Sequence, residues 1–119
     1  MTPHFLRQEV ACACGCGMVP EQTFMDRIEA LRVLASRPFV VRSAARCPQH
    51  NTAVSNTGST GPHTTGRAID IGINGAAAYD LVRLAIACGF TGIGIHRQFI
   101  HLDDIADNAV IPRPRIWSY

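Results

Sequence analysis

The stretch that decides the fold is GPHTTGRAIDIGI, residues 61–73. From Gly66 onward it alternates as a strand does, with Ala68, Asp70 and Gly72 on one face and Ile69, Ile71 and Ile73 on the other. A bare carboxylate inside such an apolar run costs on the order of several kcal/mol unless it is paired or bound to a metal. Small residues at 68 and 72 leave space around Asp70. A second short apolar run, FIHLD at 99–103, sets His101 and Asp103 on a common face by the same period of two. His63 ends a polar stretch and follows Pro62. Two imidazoles and one carboxylate, from a loop and two neighbouring strands, can therefore meet at one point. That donor set suits catalytic zinc, which takes three protein ligands and leaves a fourth position for water. A structural His–Asp ion pair with an unrelated core histidine is the competing reading of the same residues.

Outward from these two strands, the chain alternates between periodic segments and breakers. TGIGIHRQFIHLDD (91–104) predicts a hairpin of two short strands turning near His96, Arg97 and Gln98. Before it, GAAAYDLVRLAIACG (75–89) reads as a helix ended by Gly89, with Tyr79, Leu81, Val82, Leu84, Ala85 and Ile86 as its buried stripe. EQTFMDRIEALRVLA (21–35) carries Phe24, Ile28, Leu31 and Leu34 at helical spacing. Glu21 suits the positive end of that helix, and Arg37-Pro38 stops it. PFVVRS (38–43) reads as a strand. Residues 44–62 are polar and without period, which predicts a long loop forming one wall of a site. The tail AVIPRPRIWSY is broken by prolines, with Trp117 expected to pack back on the body. The order of elements predicts one α+β domain over residues 1–119, with two main helices and a small, mostly antiparallel sheet.

Composition narrows the partners. A chain of 119 residues with 47% hydrophobic and 17% charged side chains is an ordinary globular domain. The net charge of +2 comes with eleven arginines, no lysine and no dense basic stripe, so a nucleic-acid partner is not expected. No apolar run approaches the roughly 20 residues of a membrane span. The start, MTPHFLRQEV, lacks the basic and apolar regions of a signal peptide, so synthesis in a reducing cytoplasm and a monomeric state are expected. Five cysteines without a secretion signal do not form a disulfide framework. Cys12, Cys14 and Cys16 crowd the Cys-rich segment 1–19, and Cys47 with nearby His50 would complete a cluster. C-x-C-x-C nevertheless lacks the paired C-x2-C of a structural zinc site. The segment therefore reads as a glycine-rich turn with small, half-buried thiols, and a second ion is not expected.

SAARCPQHN (43–51), HTTGRAID (63–70) and FIHLD (99–103) together resemble the zinc D-alanyl-D-alanine carboxypeptidase superfamily. That group includes phage L-alanyl-D-glutamate endopeptidases, VanX-like dipeptidases and the hedgehog fold. The resemblance covers roughly residues 3–105 and is strongest to short phage and prophage members, which often begin with a Cys-rich stretch and a helix. Its pattern is S-G-x-R, then S-x-H-x-x-G-x-A-x-D, then a C-terminal H-x-D or D/E-x-x-H. The H-x6-D spacing with its internal G-x-A is the specific part.

The resemblance implies that His63, Asp70 and His101 hold one Zn²⁺ and that Arg46 grips a substrate carboxylate or carbonyl oxygen. A planar guanidinium suits that task because it donates two parallel hydrogen bonds. Gln98 stands where many members place the Asp or Glu that acts as general base. An amide cannot accept a proton, so His96 or Asp103 would have to replace it, leaving Gln98 beside Arg46 as a substrate contact. Gly61 replaces the family serine. His4 and His50 read as surface residues. The implied activity is a zinc metallopeptidase that hydrolyses peptidoglycan stem peptides, of D,D-carboxypeptidase or L-Ala-D-Glu endopeptidase type, with a metal-activated water as nucleophile. Such an enzyme would act on the cell wall after release from the cytoplasm, as in phage lysis. The alternatives are a catalytically impaired zinc module that binds wall peptide, and a phage structural protein.

Overall fold

Strands rich in branched residues build a five-stranded sheet in a computed structural model that describes residues 1–119. The elements in chain order are α1 (Arg7–Val10), α2 (Gln22–Ala35), β1 (Val40–Ser43), α3 (Pro48–Val54), β2 (Ala68–Gly72), α4 (Gly75–Ala87), β3 (Gly92–Ile95), β4 (Phe99–Asp103) and β5 (Arg115–Ser118). The strand order is β1-β2-β4-β3-β5. Every neighbour pair is antiparallel except β3 and β5, which run parallel. The expected α+β domain with a mostly antiparallel sheet is what forms.

Register decides where the chemistry lies. Asp70 pairs with His101, His101 with Gly94, Gly94 with Trp117, and Asp70 on its other side with Ser43. These five residues make one row across the sheet, and their side chains share a face. The opposite face presents Ile69, Ile71, Ile93, Ile100 and Leu102 to the core, where Phe24, Met25, Ile28 and Leu31 of α2 and Leu81 and Ala85 of α4 cover them. Each such aliphatic side chain contributes roughly 1.5–3 kcal/mol on burial. Charge fastens α2 to the sheet as well: Asp104 accepts from Arg67 Nε at 2.8 Å and Nη2 at 2.7 Å, and from Arg27 Nη1 at 2.9 Å.

Four expectations change. The stretch 44–62 is not a continuous loop: it holds α3 and 3₁₀ turns at Gly58–Thr60 and Pro62–Thr65. Pro48 sits at the start of α3, where its missing N–H costs nothing, and Cys47 caps it by accepting from the His50 backbone at 3.4 Å. The proline-broken tail adds β5 to the sheet, because Pro112 and Pro114 both precede the paired residues. The stripe assigned to α4 is too wide: Leu81 and Ala85 are buried, whereas Tyr79 and Ile86 face solvent. Leu34 of α2 is likewise exposed.

Candidate metal centre

Each of the three candidate ligands is placed by backbone that has its own reason to be there. Asp70 and His101 face each other across β2 and β4. His63 lies in the 3₁₀ turn Pro62–Thr65, whose N-terminal proline starts the turn and whose end, Gly66, takes the left-handed conformation. The three ligating atoms lie within 4.8 Å of one another, and all three residues are buried. Asp70 Oδ1 is 3.0 Å from His101 Nδ1, and Asp70 Oδ2 is 3.2 Å from His63 Nε2.

The outward nitrogens are held too. His63 Nδ1 donates to the Ala44 carbonyl at 2.6 Å, and His101 Nε2 donates to Asp103 Oδ2 at 2.7 Å. This fixes the tautomer that leaves His63 Nε2 and His101 Nδ1 facing Asp70, as metal-binding imidazoles require. Two nitrogens and a carboxylate oxygen at this separation fit a zinc ion with one position open.

Electrostatics follow from the burial. Desolvation works against the charge on Asp70, but hydrogen bonds from His101 and His63 hold its carboxyl far below the usual carboxylate range. Burial pulls the His101 imidazole down, while Asp103 and Asp70 together raise it above its ordinary value. Asp103 is also held low despite its burial, because Arg113 and His101 donate to it. Arg113 does so through Nε at 2.9 Å and Nη2 at 2.7 Å.

The cluster lies in a cleft of about 680 Å³. Arg46, Arg113 and Arg115 line it with Phe99, Trp117 and Tyr119, and residues 54–57 and 60–62 form the facing wall. Arg46 is aimed by its neighbours: Nε donates to Ser43 Oγ at 3.0 Å, Nη1 donates to Asn51 Oδ1 at 3.1 Å, and Nη2 is 3.5 Å from Asp70 Oδ2. Trp117 closes the row, with its ring 5.0 Å from that of His101. Gly94 makes this approach possible, since a Cβ there would lie 2.8 Å from the indole. With Arg113 paired to Asp103, Arg46 and Arg115 leave the cleft positive enough to favour an acidic ligand.

The structure thus brings together His63, Asp70, His101 and Arg46. Asp103 stands behind His101, fully buried. His96 and Gln98 do not line the cleft. The His96 ring stacks on Phe99 at 4.4 Å and meets Tyr119 edge-on at 5.7 Å, while its Nδ1 accepts from the Gln98 backbone at 3.0 Å. His4 lies on the surface beside Glu29, and the His50 backbone N–H donates to Cys47 Sγ. Arg113, Arg115, Tyr119 and Asn51 were missed from sequence. No periodicity marks an arginine between prolines, and only the pairing of β5 with β3 carries the tail into the cleft.

Comparison with known proteins agrees with this geometry. The Peptidase M15 family model matches residues 3–103. A search of curated proteins finds no match. The matched span contains the three candidate ligands and Arg46, and the chain belongs to the Peptidase M15 family, a family of zinc-dependent peptidases.

Proposed function

We propose that this protein is a zinc metallopeptidase whose substrates are carboxylate-bearing peptides of the peptidoglycan stem type. One observation carries the reading: His63, Asp70 and His101 converge within 4.8 Å in a cleft lined by three arginines. A zinc ion held there would lower the pKa of a water to about 7 and polarise a carbonyl. Arg46, braced by Ser43 and Asn51, grips a substrate carboxylate or carbonyl oxygen. Arg113 is committed to Asp103, so Arg115 is the second free cation for an acidic side chain. Phe99, Trp117 and Tyr119 pack on the peptide and exclude water.

Asp103 is a positioning residue in this scheme. It accepts from both His101 and Arg113 and has no route to the substrate. His96 is not placed to act as the base: its Nδ1 accepts from the Gln98 backbone N–H, which leaves the ring proton on Nε2, and the residue lies outside the cleft lining. The enzyme works as a monomer on the wall after release.

The test counts zinc per chain and follows new amino groups from purified peptidoglycan and short D-amino-acid peptides. Turnover that disappears with the zinc in His63→Ala is the expected result, and Arg46→Ala should retain zinc while raising KM more than it lowers kcat. Bound zinc without turnover on any peptide would favour a binding module, a reading supported by the lack of a second carboxylate in the cleft.

A further inference from the structure

The N-terminal segment carries a second constellation of donors. Cys12, Cys14, Cys16 and Cys47 place their sulfurs within 4.8 Å of one another, although Cys47 comes from the far side of α2 and β1 in the chain. Cys12 Sγ is 3.4 Å from Cys14 Sγ, and Cys14 Sγ is 3.6 Å from Cys47 Sγ. A tetrahedral zinc with bonds of about 2.3 Å has ligand sulfurs about 3.8 Å apart, so these separations are close to those of a metal cage. They are far from the roughly 2.05 Å of a disulfide.

Backbone geometry builds the cage rather than merely permitting it. The Cys12 N–H donates to the Met18 carbonyl at 2.9 Å, and the Gly15 N–H donates to the Cys12 carbonyl at 3.2 Å. Between and beyond them Gly15 and Gly17 take φ of +82° and +91°, a left-handed conformation in which side chains are strained. The loop therefore curls tightly, and residues 12, 14 and 16 can turn their sulfurs to a common side. From the other segment, the Cys47 N–H donates to Cys12 Sγ at 3.3 Å, and the His50 N–H donates to Cys47 Sγ at 3.4 Å. Amide donors to sulfur stabilise thiolates, the form that binds metal. Cys14 and Cys16 are exposed and Cys12 is buried, so an ion can reach the cluster from solvent.

We propose that Cys12, Cys14, Cys16 and Cys47 form a closed tetrathiolate zinc site that pins the N-terminal segment to the wall of the cleft. Four sulfur donors select a soft ion over magnesium or calcium, and a filled tetrahedron leaves no position for substrate. The clamp acts on residues 44–47, which join the two sites: Ala45 N donates to the Val10 carbonyl at 3.1 Å, Arg46 N donates to the His63 carbonyl at 3.2 Å, and Ala44 O receives His63 Nδ1. Cys47 also caps α3, which carries Asn51 to Arg46. The sequence offers the same four cysteines as a cluster, but without the paired C-x2-C of a structural site no second ion is expected from it; the fold brings their sulfurs together.

The experiment measures zinc per chain in the unaltered protein, in His63→Ala and in Cys14→Ser/Cys16→Ser, with cobalt substitution of His63→Ala as a spectroscopic check. Two zinc ions in the unaltered protein and one in each variant are expected, and cobalt in His63→Ala should show sulfur-to-cobalt charge transfer. One zinc that survives His63→Ala but leaves with the cysteines would support the thiolate site and count against the His–Asp centre alone. Thiol titration of the unaltered protein guards against a misfolded variant. Exposed Cys88 should react at once, and the other four only as zinc is released. Five thiols reacting at once, with no zinc left in His63→Ala, would overturn the proposal.

Discussion

Asp103 has the most demanding position of any single residue. It is fully buried, takes the bidentate fork of Arg113 and holds His101 by its outer nitrogen. Asp103→Asn should lower stability by about 3–5 kcal/mol, because Arg113 is left buried without its counter-charge. It should also weaken zinc binding about 10–100-fold through the loosened imidazole. Urea unfolding of the zinc-free protein and a chelator competition would read the two effects separately. His101 itself gives a pH signature. Its raised folded pKa contributes stability to the zinc-free protein that is complete below the ordinary imidazole value of about 6.5 and is lost as pH rises through the folded value. Asp70 and Asp103, both depressed, act oppositely: their contribution is present above the ordinary carboxylate value and fades as pH falls through their lowered ones. Zinc requires the neutral imidazole, so its affinity should rise with pH, and calorimetry in buffers of differing ionisation heat should detect about one proton released near neutrality.

Among the elements, β2 and β4 were legible because their apolar alternation is interrupted only by the residues that carry the chemistry. Asp70 and His101 stand out against Ile69, Ile71, Ile100 and Leu102. By contrast α3 was illegible: seven residues of mixed polarity show no period, and its cap is a cysteine rather than Ser, Thr, Asp or Asn. β5 was hidden by its prolines and by a parallel pairing that no local signal encodes. The α3 segment earns its place through Asn51, fully buried, whose Nδ2 donates to Thr57 Oγ1 at 2.9 Å while its Oδ1 receives Arg46. Asn51→Ala should cost about 1–3 kcal/mol in stability and raise KM more than it lowers kcat, since a substrate grip is lost and the ligands are untouched. Asp104→Ala, which strips Arg27 and Arg67 of their shared partner, should cost about 1.5–3 kcal/mol, since both arginines keep access to water, while zinc affinity stays within about twofold.

At the scale of the whole molecule, metal and fold are linked, because the ligands come from β2, β4 and the turn between α3 and β2. Zinc at about 1,000 times its dissociation constant adds about 4 kcal/mol of stability, so chelation should lower Tm by on the order of 10 °C in a scanning calorimeter. No helix is long and apolar enough to cross a membrane. The pairing of Asp70 with His101 has one more consequence, which concerns inheritance of damage. In β4 the odd positions 99 and 101 face the cleft, with Asp103 buried behind them on the same side, and the even positions 100 and 102 face the core; in β2 the parities are reversed. Harm from mutation should therefore sort by parity along each strand. Apart from Asp103, whose ion pair with Arg113 makes it structural, one class of variants should stay folded and silent in a stability screen while losing activity, and the adjacent class should be cleared by proteolysis before its chemistry is ever tried.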